Sequence, residues 1–284
     1  MRRARGFTLI ELIVAISICS LVIATAVVLI KAPMDGHFVQ VRRAEMNDAS
    51  SRLVRTLQAD LQNALPNSVR INTSANDMVI QLLKTTDVVY YRDQPIGPPV
   101  DAARDLDFNA ADTAFSAFGS FVHTTAANPL LVVNNAGVAG QDAYELANVV
   151  VNAAVPNGAG AGTHAIAFNP AFRFTGGSSI TNRMFVLQGP VTYVCNLAAG
   201  TLRRFAGHAI ASGVPANEAA SQLTPAASVS LIASGITSCR IACAANSQRP
   251  CQRTLVVDIT LERGTASDNE QVRLLHQFAV ENTP

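Results

Sequence analysis

The chain opens with a long apolar run. Residues 7–30 carry a single charged side chain, Glu11. At about 1.5 Å per residue, a helix of that length is about 36 Å long, which is enough to cross the roughly 30 Å hydrocarbon core of a bilayer. The pattern therefore predicts a membrane-spanning helix over residues 7–30.

A second helical pattern occupies residues 31–66. Apolar residues recur there at steps of three and four, so they share one face of an α-helix. They are Met46, Ala49, Leu53, Leu57, Leu61 and Leu65. Lys31, Pro33 and Gly36 weaken the helix where it leaves the membrane, so we expect a kink or short break there, and Pro66 should end the helix. The apolar face predicts packing on a globular domain.

From residue 67 onward, short apolar runs alternate with turn residues, which is typical of β-structure. Runs 78–83 and 88–91 flank a short polar stretch and predict a hairpin. Further strands are predicted at 130–133, 146–151, 164–168, 184–195, 201–205, 229–232, 254–262 and 271–280. We expect the last five to form one antiparallel sheet, with Val257, Ile259 and Leu261 on one face.

These patterns together predict an α+β protein. Its parts are a basic leader over residues 1–6, the apolar helix over 7–30, its continuation over 31–66 and a large antiparallel β-rich globular domain over 67–284. A hydrophobic content of 49% with 14% charged residues excludes a largely disordered chain. The formal net charge is +1 and no basic run follows the leader, so no nucleic-acid partner is expected.

Glu11 is the unusual residue of the apolar run, because an ionisable group in hydrocarbon costs about 2.5–3.5 kcal/mol on insertion scales. The string GFTLIEL that contains it, preceded by arginines, resembles the processing site of type IV prepilins and type II secretion pseudopilins. The resemblance implies that a prepilin peptidase cuts after Gly6 and methylates the new amino terminus at Phe7. It also implies that the Glu11 carboxylate pairs with the Phe7 ammonium of a neighbouring subunit when the helices pack into a filament.

The leader also predicts where the chain resides. Arg2, Arg3 and Arg5 should stay on the cytoplasmic side, which places the rest of the chain across the membrane. The family resemblance then implies a single-pass protein of the bacterial inner membrane with a periplasmic C-terminal domain, which later moves to the pilus at the cell surface. The implied partners are the prepilin peptidase, other major and minor pilins and the inner-membrane assembly platform.

A second resemblance covers much of the β domain. Segments 106–115, 172–195, 200–210, 230–239 and 274–284 together resemble minor pilins of the mannose-sensitive haemagglutinin (MSHA) type of type IV pilus. This resemblance implies a non-enzymatic filament subunit that acts in pilus assembly or surface attachment. A type II secretion pseudopilin shares the leader and the assembly logic, and residues before Asn67 do not separate the two.

An alternative of another class starts from Ala24, Thr25 and Ala26. This A-x-A-like pattern after an apolar run fits an ordinary secretory signal that is cleaved after Ala26, which would release an exported soluble binding protein or hydrolase. The apolar run is longer than the usual signal core of about 7–15 residues and continues past that position, which favours the anchor.

Four cysteines follow the apolar run: Cys195, Cys239, Cys243 and Cys251. An even number in an exported domain favours disulfides, and three pairings are possible. We prefer Cys195 with Cys239, which would tie two strands, and Cys243 with Cys251, which would close a short loop of turn residues. A zinc site is the alternative, although the C-x3-C-x7-C spacing lacks the paired knuckles of common zinc modules.

A weak calcium candidate lies in the first half of the β domain. Its members follow the D-x-D-x-N start of a calcium loop: Asp105, Asp107, Asn109 and Asp112. Some pseudopilins use calcium to order their C-terminal regions. Here Ala110 replaces the loop glycine and Ser116 stands where a bidentate Glu belongs, so a solvated turn is the simpler interpretation.

The sequence carries no motif for catalysis. There is no G-x-S-x-G elbow, no H-E-x-x-H pair and no Walker loop. The five histidines are scattered and are expected at the surface or in strands. We therefore predict that the protein is not an enzyme and has no cofactor, apart from the weak calcium candidate.

Overall fold

The computed structural model describes residues 8–92, 105–125, 129–151, 153–243, 251, 253–265 and 268–280. These residues form a 54-residue helix, two antiparallel sheets and two short 3₁₀ helices, Ala143–Glu145 and Ser221–Leu223. The predicted α+β class, a long apolar helix followed by an antiparallel β-rich domain, is confirmed.

The helix α1, Leu9–Gln62, runs through both predicted helical segments without interruption. The short break expected between Lys31 and Gly36 is therefore wrong. A proline removes one backbone N–H, and here the turns on both sides stay helical. The helix also ends before Pro66, because Asn63 caps it and the Leu65 N–H then donates to the Leu83 carbonyl at 2.7 Å, which brings the chain into the large sheet.

Thirteen strands lie within the described residues. In chain order they are β1 Arg70–Thr73, β2 Asp77–Tyr91, β3 Asp112–Gly119, β4 Leu130–Val133, β5 Val149–Val150, β6 Ala153–Ala154, β7 Gly162–Phe172, β8 Arg183–Asn196, β9 Thr201–Ala206, β10 Ser228–Ser234, β11 Ile236–Cys243, β12 Arg253–Thr265 and β13 Asp268–Val280.

The long pair β2–β8 is the centre of the large sheet. Strands β9 and β10 extend one half of this sheet beyond β8, while β1 flanks β2. In the other half, β3, β7 and β6 extend beyond β2, while β4 and β5 lie beyond β8. Strands β11, β12 and β13 form a separate three-stranded sheet.

The expectation of one sheet for the last strands is therefore wrong. Strands β8, β9 and β10 belong to the large sheet, and β12 and β13 belong to the small one. Gly235 makes the change of sheet between Ser234 and Ile236, at a φ of +77° and so close to the Glu262 carbonyl that a Cβ would lie 2.5 Å from that oxygen. Only glycine fits this turn without strain. Alternation along a strand predicts its two faces, but it does not say which sheet the strand joins.

The predicted hairpin over 78–91 is also wrong, because β2 is a single strand whose pairing with β8 shifts register on both sides of Thr85. Its polar middle has partners from elsewhere in the fold: Lys84 contacts Asp60 of α1, and Asp87 accepts a hydrogen bond from Thr124. The strands predicted at 254–262 and 271–280 are β12 and β13, and they pair with each other as an antiparallel hairpin. Val257, Ile259 and Leu261 share its buried face.

Other strand predictions are confirmed with changed bounds. The strand at 130–133 is β4, and those at 164–168, 184–195, 201–205 and 229–232 lie within β7, β8, β9 and β10. The strand predicted at 146–151 shrinks to Val149–Val150, because Leu146 has a φ of +55° and ends the helix Ala143–Glu145. Strands β1, β3, β6 and β11 were not predicted.

The described residues form four hydrophobic clusters, and the two largest lie in different parts of the β domain. The larger one, the helix-side core, contains Leu53 and Leu57 of α1, Leu82 of the large sheet and Val257 of the small sheet. The helix therefore packs against both sheets. The far core lies beyond the end of α1 and contains no α1 residue among its described members. Its largest side chains are aromatic and come from the second half of the large sheet and its loops: Tyr91, Phe115, Phe121, Phe168 and Phe174.

Candidate functional site

The first turn of α1 is closed by a capping box. Thr8 is the N-cap, and its Oγ1 accepts a hydrogen bond from the Glu11 N–H at 3.3 Å, while Glu11 Oε2 accepts one from the Thr8 N–H at 3.4 Å. Gly6 and Phe7, the predicted processing residues, lie outside the described residues. The structure therefore shows a role for Glu11 within its own chain, which the T-x-x-E spacing of Thr8 and Glu11 could have predicted.

The N-terminal half of α1 exposes apolar side chains on all sides. Leu9, Ile16 and Leu29 are 78%, 60% and 74% exposed. Among the described residues, α1 is the helix long and apolar enough to cross a membrane, and none of its most apolar stretch is buried in the protein. Exposed apolar surface costs about 25 cal/mol per Å² in water, so this half of the helix needs lipid or partner helices around it.

The exposed apolar surface continues past residue 30. Met34, Phe38 and Val41 are 51%, 54% and 40% exposed, and Met34 and Phe38 line a shallow groove with Ile23 and Ile30. From Leu9 to Val41 the helix rises about 48 Å, whereas a bilayer core is about 30 Å thick. Lipid alone therefore covers only part of this surface, and the remainder fits apolar partner helices.

The other end of α1 is held by a buried ionic cluster around Asp60, which is 2% exposed. Arg204 of β9 donates to both Asp60 oxygens, with Nε 2.7 Å from Oδ2 and Nη2 3.1 Å from Oδ1. Lys84 Nζ of β2 donates to Oδ1 at 3.0 Å, and the Tyr193 hydroxyl of β8 donates to Oδ2 at 2.6 Å. One carboxylate thus joins the helix to three adjacent strands. Sequence reasoning missed it, although a lone acid beside Leu57 and Leu61 was a visible signal.

The cluster shifts the ionisation of its members. Burial raises the pKa of Asp60, but the hydrogen bonds from Arg204, Tyr193 and Lys84 and the charge of Arg204 outweigh burial and leave that pKa below its usual value. Burial raises the pKa of Tyr193, and the Asp60 charge raises it further. Burial lowers the pKa of Arg204, but its bonds to Asp60 outweigh this and raise it. The cluster therefore holds Asp60 ionised inside the protein.

The four cysteines lie where the two sheets meet. Cys195 of β8 and Cys239 of β11 have Cα atoms 6.7 Å apart, and Cys243 and Cys251 have Cα atoms 5.4 Å apart. Both separations fit a disulfide. The Cys251 N–H donates to the Val69 carbonyl at 2.8 Å, so the second pair also lies against the large sheet. The structure thus brings together the two pairs that we prefer, and the connectivity itself stays a prediction.

The acidic residues of the calcium candidate have partners of their own. Arg92 Nε lies 2.8 Å from Asp105 Oδ1, and Asp112 Oδ2 accepts a hydrogen bond from the Asp107 N–H at 2.7 Å. Asp107 Oδ1 accepts one from the Asn109 N–H at 2.7 Å, as in an Asx turn. Burial and the nearby Asp107 charge raise the pKa of Asp112, against the bond from the Asp107 N–H. Within the described parts of the chain, no three His, Cys, Asp or Glu side chains are grouped to hold a metal.

Among the described residues, His123, Asp87 and Thr124 form a cluster whose side-chain types resemble catalytic machinery. Asp87 Oδ1 lies 3.2 Å from His123 Nδ1, and the Thr124 hydroxyl donates to Asp87 Oδ2 at 2.6 Å. The hydroxyl is therefore bonded to the carboxylate and not to the imidazole, so the three side chains do not have the hydroxyl–imidazole–carboxylate order of a catalytic triad. Asp87 instead fixes the loop that follows β3.

The comparison with protein families matches the start of the chain. A family described as the prokaryotic N-terminal methylation motif matches residues 1–27. No curated protein and no solved structure matches the chain. The match and the exposed apolar helix support a type IV pilin-like or pseudopilin protein that is anchored in a membrane, processed by a prepilin peptidase and assembled with other pilins.

Proposed function

We propose that this chain is a minor pilin of an MSHA-type type IV pilus, similar to the minor pilin MshO, and that it acts as a structural subunit rather than an enzyme. The observation that carries the proposal is the apolar surface of α1. It runs from Leu9 to Val41, further than a bilayer core requires, on a chain whose first 27 residues match the methylation motif. The likeness of five segments of the β domain to MSHA minor pilins favours the pilus over a type II secretion pseudopilin.

In this proposal α1 serves twice. It first anchors the subunit in the inner membrane, with the β domain in the periplasm, and after cleavage behind Gly6 it joins the helical core of the filament. The capping box holds the Glu11 carboxylate at the first turn of the helix, close in sequence to the new amino terminus at Phe7. That position suits the neutralisation of the Phe7 ammonium of an adjacent subunit, because neither charge can be buried alone.

The Asp60 cluster gives the proposal its second part. A subunit that is moved by its helix must pass force to its β domain, and Asp60 joins the last turns of α1 to three strands through four polar contacts. A β domain of this size is more easily placed at low copy or at a filament end than in every turn of a thin fibre. That position, and a role in assembly or surface attachment, rest on analogy with pilins.

The N-terminal residue of native protein tests the proposal. Mass spectrometry of the subunit from membranes and from sheared pili should find a methylated Phe7 as the first residue. A first residue at Val27 would instead establish a secreted protein released after Ala26, and an intact Met1 in filaments would also contradict the proposal. Immunogold labelling of purified pili with an antibody against this subunit then separates the two assembly systems, since an antibody against a pseudopilin would not label pili.

The Glu11→Ala variant tests the charge pairing. We expect normal cleavage and membrane insertion but strongly reduced recovery in sheared pili, because the Phe7 ammonium loses its counter-charge. Glu45→Ala, which removes an exposed carboxylate farther along the same helix, is the matched control and should assemble normally. Normal recovery of Glu11→Ala would contradict the pairing.

A further inference from the structure

Residues 207–227, which we call the strap, connect β9 to β10 and cover the face of the large sheet that lies opposite α1. Alternate residues of β8 show the two faces: Tyr193 packs in the helix-side core, while Val194 packs with Leu223 of the strap. The strap is irregular apart from the short helix Ser221–Leu223. It thus takes the place of a regular layer on this side of the sheet.

The strap is held by side-chain packing and isolated hydrogen bonds, without strand pairing. Its buried side chains are His208, Pro215 and Leu223. Other contacts come from β1: Arg70 Nη1 donates to the Ser212 carbonyl at 2.7 Å, and Asn72 donates to the Pro215 carbonyl at 3.3 Å. Ile210, Val214, Ala220 and Ala226 also pack on this face, but they are only partly buried. A segment with no strand pairing and mostly partly buried side chains opens at a lower free energy than the strands beneath it.

His208 is the buried titratable group of the strap, and its contacts define its neutral form. The ring is 4% exposed, with Nδ1 3.0 Å from the Ala209 carbonyl oxygen and Nε2 2.9 Å from Thr192 Oγ1. A carbonyl only accepts, so Nδ1 carries the proton and Nε2 accepts from the Thr192 hydroxyl. A second proton on Nε2 would reverse this hydrogen bond, because the Thr192 hydroxyl would have to turn its hydrogen away and accept.

The charged groups on the surrounding elements are paired elsewhere. Glu218 of the strap lies 3.7 Å from Arg203 of β9, and Arg70 of β1 is paired with Asp142. The contacts of the ring are a hydroxyl and a carbonyl, and no carboxylate is among them. A protonated His208 would therefore be a buried cation without a counter-charge.

The surface beneath the strap is partly polar. Gln81 of β2 is fully buried, and neither atom of its amide has a hydrogen-bond partner among the described residues. It lies in register between Arg70 and Thr192, so the three side chains share this face. An unpartnered buried amide is unfavourable, and opening the strap would return that amide to water.

We propose that the strap is a latch that opens when His208 is protonated, and that opening exposes the sheet face formed by Val79, Val194 and Phe205. Because Val229 of β10 is in register with Phe205 and is already 53% exposed, the uncovered face would be continuous with it. The exposed surface would combine these apolar side chains with the polar Gln81 and Thr192, on the side of the β domain away from α1. This inference does not depend on the proposed pilin function.

The direction of the pH dependence follows from burial. Burial lowers the pKa of His208 in the closed state, against the hydrogen bond to Ala209 that raises it. The open state has the ordinary histidine value of about 6.5, so it binds the proton more tightly than the closed state. The closed latch therefore has its full stability above about pH 6.5. The opening equilibrium should rise about tenfold per pH unit as the pH falls towards the pKa of the closed state, and then level off.

Hydrogen exchange of the full chain in detergent micelles tests the latch. Amides of 207–227 should lose protection between about pH 7.5 and about pH 5, after correction for the intrinsic effect of pH on exchange, while amides of β2 and β8 keep theirs. At about pH 5 most carboxylates are still ionised, so the change reports histidine.

Two variants make the result specific. In His208→Gln, the amide protection of residues 207–227 should be the same at both pH values, whether the strap of this variant is closed or open. His164→Gln replaces a partly exposed histidine near another loop and should behave like the wild type. A strap that keeps its protection at about pH 5 in the wild type, or a His208→Gln strap that still opens with acid, would overturn the proposal.

Discussion

The two halves of the large sheet share strands β2 and β8 but are stabilised differently. In the helix-side half, the sheet packs on α1 and the small sheet, with the Asp60 cluster and both cysteine pairs at the contacts. In the far half, the described core residues include no helix residue and no cysteine, and aromatic rings pack edge to face, as Phe115 does on Phe168 at 5.9 Å. The half that holds the membrane helix is therefore the half in which the Asp60 cluster links α1 to the large sheet and in which both cysteine pairs, which we expect to be disulfides, lie.

This difference has a physical reason. Apolar packing is non-directional and tolerates small shifts of a helix along its axis, whereas a carboxylate bonded to Arg204, Lys84 and Tyr193 is satisfied at one position only. The Asp60 cluster thus sets where α1 lies along the sheet. The far half also holds buried carboxylates, but Asp87 and Asp105 bond to Thr124 and Arg92 rather than to α1, and aromatic side chains fill the core there.

Removal of Asp60 should cause the largest loss. Asp60→Ala leaves Arg204 and Lys84 without their counter-charge, so the free energy of unfolding should fall by about 3–5 kcal/mol. Denaturant unfolding of the full chain in detergent measures it. Asp48→Ala removes an exposed carboxylate that pairs with Arg52 on the same helix, and it should change stability by at most about 1 kcal/mol. Equal losses in the two variants would break the distinction between the halves.

The same cluster predicts a response to acid. The pKa of folded Asp60 is below its usual value near 3.8, so its contribution to stability is present above about pH 3.8 and is lost as the pH falls through the lower, folded pKa. Circular dichroism melts between about pH 5 and about pH 2 should therefore show a smaller acid-induced fall in Tm for Asp60→Ala than for the wild type. An identical fall would mean that other carboxylates control acid unfolding.

Loss of the cysteine pair between the sheets should come next. The double variant Cys195→Ala, Cys239→Ala opens a loop with a sequence separation of 44, and the expected loss is about 2–4 kcal/mol. Peptide mapping of the non-reduced protein should find Cys195 linked to Cys239 and Cys243 linked to Cys251. Another connectivity, or four free thiols in exported protein, would remove this link from the helix-side half.

A small change in the far core should have a smaller and local effect. Ile166→Val removes one buried methylene-sized group and should cost about 0.5–1.5 kcal/mol. Hydrogen exchange should increase in β3 and β7 while the amides of α1 near Asp60 keep their protection. Equal loosening of α1 would show that the two halves unfold as one unit.

Calcium should have the smallest effect. Asp105 already pairs with Arg92, and Asp107 and Asp112 accept backbone hydrogen bonds, so calcium would have to compete with these contacts. Titration of the full chain with calcium should leave its Tm unchanged. A saturable rise in Tm that Asp107→Asn abolishes would establish a calcium site in the far half.

The local patterns in the sequence predicted the helix and most of the strands, but they missed β1, β3, β6 and β11 and did not predict how the strands are arranged. The spacing of Leu53, Leu57 and Leu61 predicted the buried face of α1, and the alternation of Val257, Ile259 and Leu261 predicted the buried face of β12. The polar run from Lys84 to Asp87 looked like a turn because its partners lie far away in the chain. Only the tertiary contacts make those residues part of one strand.

Composition and short-range spacing are enough to predict the membrane-length helix, the acidic residue in its first turn, the processing motif and the β-rich class of the rest, because each of these is a local property of the chain. Contacts between distant parts of the chain are needed to place the strands in two sheets and to bury Asp60 among Arg204, Lys84 and Tyr193. They also bring the four cysteines of the β domain to the contact between the sheets and bury His208 of the strap. Those features join residues that are distant in the chain, and local periodicity carries no information about which distant residues meet.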